Sequence, residues 1–564
     1  MLTKRRITVL VGASLSFYAF AVTRNTAGPT ATIARTDFLS AISLSAPSAP
    51  KMNLADAARL AKQATFGPRA DLVTYISMVG ADQWISEQFA RTDSTYSDLT
   101  DPLPLDYCKD YTCFRARRTR EQVAMRFYRN AVSSADQLRQ RVALALSELM
   151  VTSMQKTDDA AGMAAFQQVL LSKAFGNYRD VLYAVTRSGY MGNYLDLADN
   201  NKSMPSENYA REMLQLFTMG PFKLNIDGTP QRGGGGAAID NYNSQDITGL
   251  SRALTGWTYS HINNGSVTDY YSRDYTKPMV PLAWFYDSGA KSFLGYTVPA
   301  GASQTASLDA AIDAAFYNPS TPPHVARHFI QQLVTSNPSP AYVARVAASF
   351  INNGANVRGD MKAIVRAILL DEEARRTAAL QETSGKVKEP ILFLASIARA
   401  LNMNTDGRVF QDWDDSLGEP VFFSPSVFNF YPPDYPLRNN PGLVSPASKL
   451  LTTGQIVLRS KLSYAWTINA TSPRGEFAVK LNTANASGTS VDWSQWEAFG
   501  SDFDAMVSRM DLILLNNTMT DPQRTALRSS WETIVDVDPR LQARKRAAAL
   551  LYIIFSSPQF QVDR

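Results

Sequence analysis

A polar stripe on one otherwise apolar segment is the feature of this sequence best suited to chemistry. The segment at residues 205–220, PSENYAREMLQLFTMG, has the spacing of one amphipathic helix. Positions i, i+3, i+4 and i+7 share a helix face, and here they are occupied by Asn208, Arg211, Glu212 and Gln215. Because apolar residues flank the stripe, its guanidinium and carboxylate must be paired or must face a cleft.

A pair of carboxylates near this stripe would support acid–base chemistry. Glu212 with Asp196 of YLDLADN, or with Asp246 of NSQDITGL, predicts one general acid and one base or nucleophile. Arg211, with the two amides of the stripe, would then orient an anionic or hydroxyl-rich substrate. The alternative is structural: Glu212 belongs to a buried network that links helices and fixes their register.

Two loops and one helix end supply the other predicted substrate-binding residues. Asp287 and Lys291 lie on a predicted hairpin with its turn at 287–289, which would close over the carboxylates; a turn-forming Asp and a solvated Lys are the alternative. Asn429 lies in the loop VFFSPSVFNFYPPDYP, whose rings either stack on sugars or plug the loop into the core. Trp257, which ends LTGW, either contacts substrate or anchors a helix stop.

The histidines and cysteines predict no metal site, and which cofactor the protein uses, if any, is unknown from the sequence. His324 and His328 have the i, i+4 spacing of metal ligands, but no third ligand is identifiable, and His261 is the remaining histidine. A Ser-His-Asp triad is therefore not expected. Cys108 and Cys113 predict a small disulfide loop in an oxidising compartment, with a redox or metal pair as the alternative.

The composition is that of a globular protein without a nucleic-acid footprint. The chain of 564 residues is 45% hydrophobic and 19% charged, which excludes disorder and collagen-like structure for most of its length. The net charge is +5. Removing Lys4, Arg5 and Arg6 from the 56 basic side chains leaves 53 against 51 acidic ones, a net charge of +2. We therefore expect no nucleic-acid partner.

The first 50 residues predict export. A basic start, MLTKRR, precedes an apolar run of 16 residues and the small-x-small pattern Ala19-Phe20-Ala21, so residues 1–21 are predicted to be a cleaved signal peptide. The alternative is a retained anchor, but the run is shorter than the ~20 residues of a comfortable membrane span. Residues 22–50 predict a flexible Ser/Thr/Ala/Pro-rich spacer. We expect a periplasmic or extracellular protein with no stable membrane span after cleavage.

The remainder, residues 51–564, predicts one large, mainly α-helical domain. Helical periodicity without a fixed repeat dominates, with helices expected at 134–153, 160–176, 177–189, 205–220, 244–257, 322–336, 339–354 and 358–375. Three stretches interrupt this pattern: a glycine-rich loop at 227–243, expected to be mobile, the small hairpin within 257–298 and the aromatic loop at 420–446.

Nine motifs, in order along the chain, resemble a large bacterial family, domain of unknown function 1800. They are RLAKQATFGP, QLRQRVALALSEL, AFGNYRDVLYAVT, PSENYAREMLQLFTMG, QDITGLSRALTGW, LVTSNPSPAYVARVA, RGDMKAIVRAILLDEEAR, PSVFNFYPPDYP and SSPQFQVDR. The resemblance implies an exported, mainly helical protein, and a sulfatase-like partner of the family called domain of unknown function 1501. Where similar proteins often have histidines, this chain has Ser188-Gly189, Tyr286-Asp287 and Asn318-Pro319, so a mechanism through those histidines does not carry over.

Two functions remain open from the sequence. The first is an exported, carboxylate-dependent hydrolase or lyase-like enzyme acting on an extracellular polymer such as polysaccharide. The second is a non-catalytic export, assembly or surface-binding factor that works with the sulfatase-like partner. Convergent carboxylates that line an open cleft would favour the enzyme, and a closed ion-pair network would favour the factor.

Overall fold

The architecture described below comes from a computed structural model of the chain. It describes residues 50–104, 106–262, 266, 268–375, 384–471 and 475–564. The predicted signal peptide and the spacer, apart from Pro50, lie outside the described residues. From Pro50 to Arg564 the chain packs as one unit.

Helices account for most of the regular structure, which confirms the mainly helical fold. The helices before residue 260 are α1 (Leu54–Ala64), α2 (Ala70–Val79), α3 (Ala81–Ala90), α4 (Tyr111–Arg118), α5 (Glu121–Ser133), α6 (Gln137–Leu149), α7 (Ala160–Lys173), α8 (Tyr178–Arg187), α9 (Gly189–Tyr194), α10 (Asn208–Glu212) and α11 (Ser244–Ala253). Those after it are α12 (Gln304–Phe316), α13 (Thr321–Leu333), α14 (Pro340–Ile351), α15 (Met361–Leu370), α16 (Glu372–Arg375), α17 (Pro390–Ala400), α18 (Arg408–Leu417), α19 (Thr453–Thr467), α20 (Ser494–Glu497), α21 (Phe503–Met510), α22 (Asp521–Thr533) and α23 (Pro539–Phe555).

Short strands pair only in twos. In chain order they are β1 (Trp257–Thr258), β2 (Ser260–His261), β3 (Arg273–Asp274), β4 (Val280–Pro281), β5 (Lys291–Phe293), β6 (Tyr296–Val298), β7 (Lys386–Val387), β8 (Met403–Thr405), β9 (Pro436–Leu437), β10 (Asn440–Val444), β11 (Thr489–Val491) and β12 (Val562–Asp563). The pairs are β1–β4, β2–β3, β5–β6, β7–β12, β8–β11 and β9–β10, all antiparallel.

Local sequence signals explain many helix boundaries. The Asn53 side chain accepts a hydrogen bond from Asp56 N at 2.8 Å, so it caps α1 as predicted. Ser339 caps α14 in the same way, and Pro340 occupies the first turn, where its missing N–H costs nothing. The helices bury Ala, Leu, Ile, Val and Phe side chains in one large core that extends from α1 to the segment after α23.

The predicted hairpin exists, but its turn was placed wrongly. Strands β5 and β6 reverse at Leu294-Gly295, both with positive φ, and residues 287–289 form a separate bend before β5. The hairpin lies on α11 at Gly249, where a Cβ would lie 2.0 Å from the Ser292 carbonyl oxygen. Only a glycine allows this approach of strand and helix.

The glycine-rich segment is an irregular hydrogen-bonded ladder at the surface. Bridges join Phe222 to Asp240 and Arg232 to Ala238, and the backbone N–H of Ile239 donates to Gln231 O at 3.0 Å. The glycines between them are exposed and have free space around them. Its surface position was predicted correctly, whereas its mobility stays a prediction. Across the described residues, no helix combines the length and apolarity needed to cross a bilayer.

Candidate functional site

The predicted helix at 205–220 is two elements, and Glu212 lies at their junction. An α-helix runs from Asn208 to Glu212, and a π-helical turn follows at Met213–Thr218. The Thr218 hydroxyl donates to Met213 O at 2.7 Å, five residues earlier. Short π-helical turns occur frequently at functional sites, because the extra residue per turn redirects side chains.

Side chains from other elements hold the end of the π turn. The Tyr178 hydroxyl donates to Phe217 O at 2.5 Å, and His324 Nε2 contacts Leu216 O at 2.9 Å. The Asn241 amide nitrogen donates to three nearby acceptors at 2.7 to 2.9 Å, the carbonyl oxygens of Met219, Gly220 and Phe222. These bonds satisfy backbone carbonyl groups at and after the end of the π turn.

Glu212 is an acid without a full set of partners. It is 9% exposed, and its Oε2 atom is buried without a hydrogen-bond partner among the described residues. Burial raises the pKa of Glu212, and the nearby Arg211 offsets this only in part. Tyr194 and Tyr242 lie within its electrostatic reach; burial, followed by the charge of Glu212, raises the pKa of Tyr194 to about 12. The surroundings therefore disfavour the charged form of Glu212 relative to a solvated carboxylate.

Asp196 is the carboxylate that the structure places beside the stripe. Its Oδ1 pairs with Lys156 Nζ at 2.5 Å, and its Oδ2 accepts from Asn208 Nδ2 at 2.9 Å. Asn208 and Glu212 are four residues apart on one helix, so their Cβ atoms are about 5–6 Å apart. Asp196 also has φ of 57°, a backbone conformation that costs energy outside glycine and is often retained at functional sites.

The remaining stripe residues form an exposed rim. Arg211 pairs with Glu207 at 3.2 Å, as its i, i+4 position allows, and Glu207 also accepts from the Thr248 hydroxyl at 2.9 Å. Both charged side chains are more than 40% exposed. Gln215 is half-buried on the π turn. An exposed guanidinium beside a buried acid can orient a substrate from solvent.

Asp246 is occupied by structural bonds. Its Oδ2 accepts from Asn243 N at 3.0 Å and completes a capping box at the start of α11. Its Oδ1 accepts from Leu294 N at 2.7 Å and attaches the hairpin turn to the helix. Both oxygens are thus committed, and within the described residues no hydrogen bond joins Asp246, Glu212 and Asp196 to one another.

Asp287 and Lys291 bind the hairpin to α11. Asp287 Oδ2 accepts from Arg252 Nε at 2.7 Å, and Lys291 Nζ donates to Asp287 O at 2.7 Å. Burial raises the pKa of Asp287, but hydrogen bonds from Arg252 and from Gly289 N outweigh it and leave that pKa lowered. Lys291 is only 2% exposed, so it is neither the solvated lysine of the alternative nor an accessible ligand.

Trp257 and Asn429 are both buried. Trp257 is 1% exposed, and the Arg187 guanidinium lies 4.2 Å from its ring centroid. Asn429 has φ of 58° and accepts from the Ser424 hydroxyl at 2.9 Å. Of the loop's aromatic side chains, Phe422 and Phe430 are buried and Phe428 is 44% exposed. Phe422 and Phe430 therefore anchor this loop in the protein, and the Phe428 ring is exposed to solvent.

The histidine pair of α13 binds backbone. His324 Nε2 contacts Leu216 O, and His328 Nε2 contacts Ala145 O at 2.8 Å. Because both partners are carbonyl acceptors, each Nε2 carries a proton, and burial lowers the pKa of both rings, which disfavours their charged forms. In the described part of the chain, no three His, Cys, Asp or Glu side chains are grouped as metal ligands would be. Cys108 and Cys113 form the expected disulfide pair, with Cα atoms 5.3 Å apart.

Three buried glutamates form a group that the sequence reasoning missed. Glu148 on α6, Glu389 before α17 and Glu419 after α18 interact electrostatically, and we call them the carboxylate trio. Both oxygens of Glu148 and one of each other glutamate are buried without hydrogen-bond partners in the described chain. Burial, followed by the charge of Glu389, raises the pKa of both Glu148 and Glu419. One signal was present: Glu148 is a lone acid at the end of the apolar run VALALSEL.

Cations from three elements surround the trio. Arg141, Lys386 and Arg459 are each buried and within its electrostatic reach. The Tyr431 hydroxyl donates to Glu389, and Ile391 N donates to Glu419 Oε2 at 3.0 Å. This balance of charges explains how three carboxylates are tolerated in the core. The unpartnered oxygens of the trio are buried, as is Oε2 of Glu212.

The whole chain was then compared with known proteins. It matches the family described as Protein of unknown function (DUF1800) over residues 59–562. The chain belongs to this family. Neither the curated proteins nor the solved structures contain a match. This match confirms the resemblance based on nine motifs. The matched residues of this DUF1800 protein include Glu212, Asp196, the carboxylate trio and the aromatic loop.

Proposed function

We propose that this protein is an exported hydrolase or lyase-like enzyme that acts on a hydroxyl-rich extracellular polymer such as a polysaccharide. The supporting observation is Glu212: a carboxyl group with a raised pKa and a free oxygen, one helix turn from the residue that binds Asp196. A carboxyl group whose pKa is raised by burial, one helix turn from the residue that binds an ion-paired carboxylate, supports separate acid and base roles in cleavage.

In the proposed mechanism, Glu212 is the general acid. Its proton would pass to the oxygen of the leaving group, which acquires negative charge as the bond to it breaks. Asp196, held by Lys156 and Asn208, would act as base or stabilise positive charge at the reacting carbon. Arg211 at the rim would orient the polymer.

The test is cleavage of purified polysaccharides by the mature protein and by Glu212→Gln. Xylan, cellulose, chitin and alginate would be assayed for new reducing ends, which report hydrolysis or elimination, and for ultraviolet absorbance, which reports elimination alone. We expect the wild type to cleave at least one polymer and Glu212→Gln to lose about 100-fold or more of kcat. The melting temperature should hardly change, because the substituted amide fills the same space.

Two results would reject the catalytic role. One is a wild-type protein that cleaves none of these polymers; the other is a Glu212→Gln variant that melts far below the wild type, which would make Glu212 structural. An Asp246→Asn variant is the matched control for activity, since it makes the same carboxyl-to-amide change at a side chain whose two oxygens both accept from backbone N–H groups.

Export is part of the proposal and has its own test. It is supported by the basic, apolar and small-residue pattern of residues 1–21 and by the paired cysteines. We expect mass spectrometry of the protein from the cell exterior to find a mature N-terminus after Ala21. A chain that still carries residues 1–21 would instead support a retained anchor.

The alternative function is a non-catalytic export, assembly or surface-binding factor. The favouring observation is apolar surface close to the stripe: Met204 is 81% exposed and Trp284 is 61% exposed. Their loops touch, because Lys202 N donates to Phe285 O at 2.8 Å. A sulfatase-like protein of the domain of unknown function 1501 family is the proposed partner. Light scattering on the two purified proteins should detect a complex that Met204→Asp and Trp284→Asp weaken.

A further inference from the structure

A small buried cleft lies where α1, the start of α17 and the C-terminal strand β12 meet. Its lining includes Lys62 from α1, Lys388 from the segment before α17, and Asp563 from β12. The described side chains that line it are all buried, and rings and aliphatic groups make up much of its wall, including Phe66, Leu392, Ile513, Leu514 and Phe560. The cleft has room for about one water-sized molecule, so it admits only the smallest ligands. We call it the lysine cleft.

Lys62 is the reactive group that this cleft presents. It is 7% exposed, and its Nζ donates to Leu514 O at 2.9 Å. A neutral amine that donates one hydrogen to a carbonyl retains its lone pair for an electrophile. The charged groups that face it are Lys388, Asp563, Arg59 and Asp511. Burial, followed by the charge of Lys388, lowers the pKa of Lys62 to about 7.

Lys388 differs from Lys62 although both line the cleft. Its Nζ lies 3.0 Å from Asp563 Oδ1, donates to Phe560 O at 2.6 Å and lies 4.0 Å from the centroid of the Phe560 ring. Lys388 thus has a carboxylate partner, which supports its charged form. Lys62 shows no ion pair among the described residues, so it is the better nucleophile. A second cation beside a desolvated lysine is a known way to obtain a free amine near neutral pH.

We propose that Lys62 is a covalent binding site for small electrophilic carbonyl compounds. The lone pair of Nζ attacks the carbonyl carbon and forms a C–N bond. With carbon dioxide, one proton leaves the nitrogen for solvent, and the product is a carbamate whose negative charge faces Lys388. With a simple aldehyde, two protons leave the nitrogen, the carbonyl oxygen departs as water, and the product is an imine. Neither step requires an oxidant or a reductant, and neither depends on the function proposed for Glu212.

The first experiment is labelling of the folded wild-type protein with formaldehyde and cyanoborohydride, which traps the imine as a methylamine. Labelling at each lysine would be measured by peptide mass spectrometry from pH 6 to pH 10. We expect labelling at Lys62 to increase about tenfold from pH 6 to pH 8 and then to level off. Labelling of exposed lysines should increase about tenfold per pH unit over the whole range, because their pKa is about 10.4.

Lys386 is the matched control. It is also buried, its Nζ donates to Gln332 O at 2.6 Å, and burial lowers its pKa, but it does not line the lysine cleft. We expect no labelling of Lys386 in the folded protein. Equal labelling of Lys62 and Lys386 would show that the chain opens locally, and it would overturn the proposal.

The second experiment uses carbon-13 carbon dioxide, with a carbamate carbon resonance as the readout. A resonance that is present in the wild type and absent from Lys62→Met assigns carbon dioxide as a ligand, and labelling by formaldehyde alone assigns aldehydes. The proposal is overturned if neither reagent modifies Lys62. It is also overturned if labelling at Lys62 keeps increasing up to pH 10, as labelling of exposed lysines does. Both wild-type measurements are independent of whether the variant folds.

Discussion

At the scale of single residues, the number of bonds to each carboxylate separates a structural acid from a candidate catalytic one. Asp246 uses both oxygens to cap α11 and to hold the hairpin, whereas one oxygen of Glu212 has no partner in the described residues. A fully bonded carboxylate has little to offer a substrate, and an unsatisfied buried one raises the cost of folding. Structural hydrogen bonds therefore account for the carboxylate of Asp246, whereas they do not fully account for that of Glu212.

Asp246→Ala should destabilise the protein without abolishing activity. Loss of the capping box and of the bond to Leu294 N should lower the unfolding free energy by about 1–2 kcal/mol. Urea unfolding measures this change, and polysaccharide cleavage should remain. The exposed Asp240→Ala is the control, expected to change stability by less than about 0.5 kcal/mol. Loss of cleavage in a folded Asp246→Ala protein would show that Asp246 is required for activity.

His328 should make stability depend on pH. Burial lowers its pKa to about 4, below the value of about 6.5 in an unfolded chain. Because the unfolded state binds this proton more tightly, the uncharged His328 contributes to the free energy of unfolding above pH 6.5. This contribution is lost as pH falls towards 4.

The corresponding variant is His328→Gln, whose amide can still donate to Ala145 O but does not titrate. Relative to this variant, the wild type should lose at most about 3 kcal/mol of unfolding free energy between pH 6.5 and pH 4. Urea unfolding of both proteins at several pH values gives the difference. Parallel curves for the two proteins would show that His328 is accessible and titrates normally.

At the scale of elements, the segment at 205–220 shows the limit of periodicity. Its sequence predicted one helix, and residues 208–218 are helical, but the pattern did not indicate that the hydrogen bonding changes after Glu212. The change depends on acceptors and donors from distant elements, including Tyr178 and Asn241. These partners are in place only after the chain has folded.

Asn241→Ala should affect both stability and the direction of Glu212. Removing the amide leaves up to three carbonyl groups without this donor, which should lower the unfolding free energy by about 2–3 kcal/mol. Polysaccharide cleavage should decrease with it, because the π turn positions Glu212. Asn225→Ala is the control: Asn225 is exposed and its amide bonds only to Thr229, so both quantities should stay close to wild type. Equal effects of the two substitutions would contradict the role of the π turn.

At the scale of the whole molecule, the C-terminus completes the core. Strand β12 pairs with β7, Asp563 pairs with Lys388, and Phe560 packs against Phe393 and Phe555. The same segment forms one wall of the lysine cleft against α1. Residues near the two ends of the described chain thus depend on each other for burial.

Deleting residues 559–564 should therefore strongly destabilise the protein. Loss of the buried Phe560 ring and of the carboxylate partner of Lys388 should lower the unfolding free energy by about 5 kcal/mol or more. The midpoint of urea unfolding measures this effect. Deleting only the exposed Arg564 is the control, and it should change little. A near-normal midpoint for the longer deletion would show that β12 is dispensable.

The sequence by itself determined the helical class, the family, most helix positions and the cap of α1, because periodicity, capping and motif order are properties of neighbouring residues. It also selected the stripe with Glu212. The tertiary structure alone decided which carboxylates meet: it brought Asp196 to Asn208, assigned Asp246 to the hairpin, and joined Glu148, Glu389 and Glu419. Such groups form between residues that are far apart in sequence, and a local sequence pattern does not predict which distant side chains come into contact.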